Sequence, residues 1–388
     1  MPVLQRIEEF ADELAAIRQD IHAHPELGFE ETRTARLVAD KLQEWGVDEV
    51  HTGIGGTGVV GVIEGQASGN RAIGLRADMD ALPIQEATDL PYASKHAGKM
   101  HACGHDSHTA ILLGAARYLA ETRNFAGKVH LIFQPAEEGL GGARRMLAEG
   151  LFERFPCDEI YGMHNDPTSP AGQVRLKLGP AMAGATFFDL TVKGTGSHAA
   201  MPHQGQDPIM VATALVQQLQ TIVSRNRPPA APLVLSVTQI HAGSAYNIVP
   251  NTATIAGTIR YFSDQIRDLT HQRIQELCEG MEKAYGVEIE VDLRNIFDVL
   301  INDEDLGKAY LEAAADVVGI ENAQETEEYA TGSEDFADML KAVPGAYCRV
   351  GHAGNVPLHN PGFFVDDGIL PVGASIMARI VERRLPLA

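Results

Sequence analysis

The strongest constraint on the fold of this 388-residue chain is an alternation. Short apolar runs, GVVGVIEG (58–65), RAIGLRAD (71–78), KVHLIFQP (128–135) and DEIYGMHN (158–165), take turns with segments of helical spacing. Helices are predicted over 4–20, 31–45, 107–121, with Ser107 as N-cap, and 141–149. Strands that are apolar throughout, separated by amphipathic helices, belong in a mostly parallel sheet covered by helices on both faces. The α/β pattern returns after residue 300, with helices over 303–318, 333–342 and 367–384 around the strand AYCRVG (346–351). Between these parts the periodicity changes. TFFDLTVKG (186–194) alternates like a half-exposed strand, and the segments that follow complete a βαββαβ order. That order describes a ferredoxin-like sandwich. The expected architecture is therefore an α/β domain, 1–184 and 298–388, interrupted by an inserted domain at 185–297.

Charge narrows the partners. Lys and Arg number 31 against 52 Asp and Glu, a net charge of −21. Such a chain repels nucleic-acid backbones and anionic lipid, so neither is an expected partner. No run approaches the roughly 18 apolar residues that a membrane span needs. The opening MPVLQRIEEFADELAAIRQD has no apolar core region, so no signal peptide is expected. Four cysteines are too few for a disulfide scaffold, which favours a reducing, cytoplasmic setting.

The α/β strands end in polar residues. LRADMD ends in Asp78 and Asp80, VHLIFQPAEE in Glu137 and Glu138, and EIYGMHN leads into His164; a loop after AYCRVG carries His359. Ligand sites in open α/β sheets lie beyond the carboxyl ends of the strands, so these segments should converge there. HACGHDSH (101–108), just ahead of a helix, can join them with Cys103 and His105. The donor inventory exceeds a closed four-ligand zinc site and suits a pair of metals about 3.5–4 Å apart. Of the adjacent glutamates, one can bind metal while the other takes a proton from water. GIGGTG (53–58) matches a dinucleotide fingerprint but leads into a strand rather than opening a helix, so it is read as a decoy. His130 reads as structural, and Cys157, Cys278 and Cys348 as inert.

Taken together, HAHPELGFEE (22–31), LRADMDALPI (75–84), MHACGHDSHTA (100–110), FQPAEEGLGGA (133–143), GMHN (162–165), GSHAAMPHQGQDP (196–208), NIVPNTATIAGTIR (247–260), TGSEDF (331–336) and LHNPGFF (358–364) resemble the M20 metallopeptidase family. The likeness is to its aminoacylase, hippurate hydrolase and auxin-conjugate amidohydrolase branch. The resemblance implies a catalytic domain with an inserted lid that often forms a dimer interface. It implies two divalent ions (zinc, manganese, cobalt or nickel) held by a bridging Cys103 with His105, Glu138, His164 and His359. Glu137 becomes general base and acid. Asp78 and Asp80 stand where other branches carry a His-x-Asp motif, and here they orient ligands. His198, from the lid, resembles the residue that stabilises the oxyanion, commonly across a subunit boundary. Asn247 and Arg260 resemble positions that hold a substrate carboxylate. His24 belongs to a family signature but reads as structural. The implied activity is hydrolysis of small N-acyl amino acids. A dipeptidase on the same scaffold is the alternative; a non-catalytic metal-binding or dimerisation module and a dinucleotide oxidoreductase are the rivals from other classes.

Overall fold

A computed structural model describes residues 3–387 and divides them into two compact units. The first unit runs to Ala181 and resumes over Ile301–Glu328 and from Asp335 onward; the second comprises Met182–Leu300 and Tyr329–Glu334.

The first unit is built on an eight-stranded sheet. Its spatial order is Glu49–Ile54, Gly58–Glu64, Ala126–Gln134, Ala67–Asp78, Glu159–Asp166, Gly345–Gly351, Val174–Leu176 and Ala323–Glu325. The four central strands, Ala126–Gln134 to Gly345–Gly351, run parallel, and antiparallel pairings lie to either side. Alternation along residues 73–78 shows that both faces of a central strand are buried. Ile73, Leu75 and Ala77 enter the core cluster that holds the apolar residues of the helix His105–Thr122. The intervening Arg76 stands 5.6 Å from the ring of Phe336, on the helix Phe336–Ala342. Both faces are thus covered, and each is removed from water.

Two local expectations need correction. Ser107 does not cap its helix. The helix starts at His105, after Gly104 at φ 91°, and the Ser107 hydroxyl donates back to the Gly104 carbonyl at 2.6 Å. Glycine tolerates the left-handed turn, so the helix begins two residues early and takes His105 into its first turn. The helix expected over 333–342 spans only Phe336–Ala342. The Asp335 carboxylate is engaged by Arg76, Gln134 and the Ala143 amide. GIGGTG closes the hairpin between Glu49–Ile54 and Gly58–Glu64, with Ile54 opposite Gly58, and does not lead into a helix.

The second unit has a four-stranded antiparallel sheet in the order Leu233–Ala242, Thr252–Tyr261, Gly184–Lys193, Glu288–Phe297. With the helices Pro208–Thr221 and Asp264–Tyr285 this is the ferredoxin-like arrangement. Asp207 and Ser263 cap the two helices by accepting from the amides of Ile209 and Ile266. Phe188, Leu190 and Val192, at every second position, meet Val211, Leu215 and Ile274 in a separate core.

Candidate metal centre

The carboxyl ends of the parallel strands place the donors. Asp78 ends one strand and Gln134 the next, in register. Beyond Gln134 the chain turns through Ala136 at φ 54°, a conformation costly without glycine. It is held there by the Ala136 amide donating to Glu31 at 2.8 Å and the Ala136 carbonyl accepting from Gly142 at 3.0 Å. The next residues are Glu137 and Glu138, and the Glu138 amide donates to Asp80 at 3.0 Å. His359, also left-handed at φ 62°, is tied to the Cys103 loop by its amide donating to the Ala102 carbonyl at 2.8 Å.

These segments form two donor triads that share one atom. Cys103 Sγ, His105 and His164 offer ligand atoms within 4.8 Å of one another, and so do Cys103, Glu138 and His359. A third group joins His105 to Glu137 and Glu138. Cys103 Sγ lies 3.4 Å from His164 Nε2, and His359 Nε2 lies 3.3 Å from Glu138 Oε1. Glu137 Oε2 stands 4.0 Å from His105 Nε2. Cys103, His105 and Glu137 are buried, whereas the His359 side chain is half exposed and marks the open side.

The aspartates aim the imidazoles. His105 Nδ1 donates to Asp80 Oδ1 at 3.1 Å, which turns Nε2 toward the cluster, where it has no hydrogen-bond partner. Asp78 accepts from His108 Nδ1 at 2.6 Å and from Arg76 at 2.7 Å. His164 Nδ1 donates to the Asn165 carbonyl at 2.7 Å, leaving Nε2 as an acceptor beside the thiol.

Protonation follows the same layout. Burial, then the charge of Glu138, pushes the Cys103 thiol up. Burial alone would raise Asp78, but His105, His108 and Arg76 outweigh it and hold the carboxyl well below its ordinary range. Burial would lower His105, yet the charge of Asp78 and the hydrogen bond to Asp80 carry it well above its ordinary value. His359 is raised to about 10 by hydrogen bonds to Cys103 and Glu138. His164 is held down to about 3 by burial, which keeps it a neutral donor. A buried thiol and carboxylates gather protons onto His105 and His359 that a cation would displace. The donor set therefore fits divalent metal: soft sulfur, imidazole and carboxylate, a buried nitrogen without a partner, and one shared donor.

The chain matches the model of Peptidase family M20/M25/M40 over residues 74–383. It is a member of that family. It is 41% identical to the hippurate hydrolase of Campylobacter jejuni over 385 residues, 99% of this chain and all of that one. It is 41% identical to an N-acetyl-L-cysteine deacetylase of Bacillus subtilis, over 92% of this chain and 84% of the relative. Its fold resembles that of the Bacillus subtilis YXEP protein, described as a dinuclear metal binding peptidase from the M20 family. The TM-score is 0.85 at 35% identity, covering 97% of this chain and 99% of the other.

The remaining site candidates of this M20 chain lie in the second unit. His198 is exposed on the short strand Ser197–His198, opposite Ile248, and its Nδ1 accepts from the Ala200 amide at 3.1 Å. Asn247 is its neighbour, with a carbonyl that accepts from Ala199 at 3.0 Å. Arg260 is half-buried on Thr252–Tyr261; it donates to Thr258 and to the Ile259 carbonyl, and lies 5.9 Å from the Phe187 ring. His24 bonds its own helix, with Nδ1 donating to the Asp20 carbonyl at 2.8 Å. Sequence reasoning missed His108 and Asn165, which sit behind the donors. The i, i+3 spacing of His105 and His108 on one helix face was the available signal.

Proposed function

We propose that this M20 chain is a metal-dependent amidohydrolase that splits small N-acyl amino acids into a carboxylic acid and a free amino acid. The sharing of Cys103 Sγ between two donor triads is the observation that carries the reading. The relatives named hippurate hydrolase and N-acetyl-L-cysteine deacetylase support the substrate class. Cys103, His105, Glu138, His164 and His359 would hold the two divalent ions, with Cys103 as the donor common to both triads. When bound, these ions polarise the amide carbonyl and acidify water. Thiolate favours zinc, cobalt or nickel, and the carboxylate and imidazoles accommodate manganese. Glu137 removes a proton from the attacking water and returns it to the leaving nitrogen, so that one water is consumed and an acid and an amine are released. Asp78 and Asp80 keep the imidazoles aimed.

In this reading the second unit is a lid and dimerisation domain. His198 meets the developing oxyanion, from its own or a neighbouring subunit, while Asn247 and Arg260 hold the substrate carboxylate. A cytoplasmic setting agrees with four unpaired cysteines. No helix among the described residues is long and apolar enough to cross a membrane.

Glu137→Gln should lower turnover about 10²–10⁴-fold while two ions remain bound, as loss of a general base predicts. Full activity in that variant refutes the assignment. Hippurate and N-acetylmethionine, assayed beside an unblocked dipeptide, separate the amidohydrolase from a dipeptidase; preference for the dipeptide overturns the substrate class.

A further inference from the structure

Behind the donors lies a hydrogen-bond junction centred on one uncharged side chain. Asn165 Nδ2 donates to the Cys103 carbonyl at 2.6 Å and lies 3.0 Å from His108 Nε2. Its backbone amide donates to His108 Nε2, also at 3.0 Å. Its Oδ1 accepts from His352 Nε2 at 3.2 Å, and its carbonyl accepts from His164 Nδ1 at 2.7 Å. Asn165, His108 and His352 are all buried.

The amide orientation follows from the partners. A carbonyl can only accept, so the side-chain nitrogen must face Cys103. His108 Nε2 meets N–H groups, so the imidazole carries its proton on Nδ1 and gives it to Asp78 Oδ1 at 2.6 Å. Both His108 nitrogens are thus occupied, and His108 is a connector rather than a ligand, although it stands within 4.8 Å of Asp78 and His105 donor atoms. The approach is close enough to restrict the backbone. A Cβ on Gly104 would lie 2.3 Å from Asn165 Nδ2.

We infer that Asn165, with His108 behind it, is a positioning residue that sets the depth of the bridging Cys103 and the donor nitrogen of His164. Through His352 the junction also reaches the segment that leads to His359. The inference rests on the metal-centre reading above and adds to it a device that holds two of the donors, Cys103 and His164, through one uncharged residue.

Cobalt titration of the full-length chain, followed by the thiolate-to-cobalt absorption band, tests it. The wild type should take two ions with a clear band; if it takes none, the functional reading falls. Given a wild type that binds, Asn165→Asp replaces the donor with an oxygen facing the Cys103 carbonyl. It should weaken cobalt affinity about 10–100-fold, as loss of outer partners does, and diminish the band. Wild-type affinity and an unchanged band in Asn165→Asp overturn the inference alone. Should that variant not fold, His108→Gln and His108→Leu decide. Glutamine keeps an acceptor for the Asn165 amide and should stay close to wild type, while leucine should behave like Asn165→Asp; equal affinities for the two overturn the inference. Nitrogen-15 spectra of the zinc-loaded wild type need no substitution and should show His108 protonated on Nδ1. A proton on Nε2 overturns it.

Discussion

The described residues include two thiol–imidazole pairs at the same distance, and only one of them lies among further donors of the kind that hold metal. Cys103 Sγ lies 3.4 Å from His164 Nε2, and Cys157 Sγ lies 3.4 Å from His130 Nδ1. Burial acts alike on both. It raises each thiol, Cys157 to about 12, and it lowers His164 to about 3 and His130 to about 4. Position in the sheet separates them. His164 is near the carboxyl end of its strand, where loops from other strands bring carboxylates and further imidazoles. Cys157 precedes the amino end of that same strand. It and His130 adjoin Phe155, beside a cavity of about 610 Å³ lined also by Arg71, Lys128 and Arg154. Among the described residues no third histidine, cysteine or carboxylate completes a triad with them. The Cys157–His130 pair shows that packing alone can set a sulfur and a nitrogen this close. What marks a site is the gathering of anionic donors that burial alone would not tolerate.

Truncating each sulfur should give the widest separation between the two pairs. Cys103→Ala removes the shared donor and should lower hippurate turnover by about 10³-fold or more, since Lewis-acid stabilisation amounts to several kcal/mol. Metal content by emission spectroscopy should fall below two ions per chain. Cys157→Ala should retain both ions and full turnover, with a stability change of about 1 kcal/mol. If the two variants lose metal equally, the distinction drawn from strand ends is wrong.

The same contrast shows what was legible beforehand. Strand ends could be read because apolar runs and their polar terminators are local. Cys103, His105, Glu137, Glu138, His164 and His359 were therefore nameable, and the structure brings their donor atoms together. His130 could be set aside because it sits inside an apolar run, and it is buried. Asn165 carries no local mark of the contacts it makes, and His108 only its i, i+3 spacing from His105. An asparagine after a strand histidine reads as a turn residue until topology sets the Cys103 carbonyl against it. Ser107 misled because a good N-cap side chain lies next to a glycine that starts the helix earlier. His198, Asn247 and Arg260 were named from likeness alone; their local settings are ordinary strand and loop contacts.

Two left-handed glycines near the Cys103 loop sharpen the comparison at smaller magnitude. Gly98 has φ 74° and open space where a Cβ would stand. Gly104 has φ 91°, and a Cβ there would meet the Asn165 amide nitrogen at 2.3 Å. Alanine at either position incurs backbone strain of about 1–2 kcal/mol. Only Gly104→Ala should also displace Asn165, and with it weaken metal affinity about 10–100-fold. Gly98→Ala should lower the melting temperature slightly and bind metal as the wild type does. Equal metal affinities would show that the Gly104 contact is passive.

A last contrast concerns buried imidazoles with and without acidic partners. Burial would lower His22, but Asp106, at 2.9 Å, and Glu86, at 3.4 Å, outweigh it and raise the group to about 9. His130 has no such partner, and burial lowers it to about 4. The signs are opposite. A raised imidazole stabilises the fold fully below about pH 6.5 and ceases to do so as pH climbs through 9. A lowered one leaves the fold unharmed above about pH 6.5 and weakens it as pH falls toward 4. Each contribution is on the order of 3 kcal/mol. Urea unfolding of the metal-loaded chain, taken as variant minus wild type at each pH, cancels the pH dependence of metal ligation common to both. His22→Gln should change the difference between pH 6.5 and 9 and leave it flat below. His130→Gln should change it between pH 4 and 6.5 and leave it flat above. A flat His22→Gln difference across the alkaline window would mean that Arg18, 3.2 Å from Asp106, satisfies the carboxylate without help from His22.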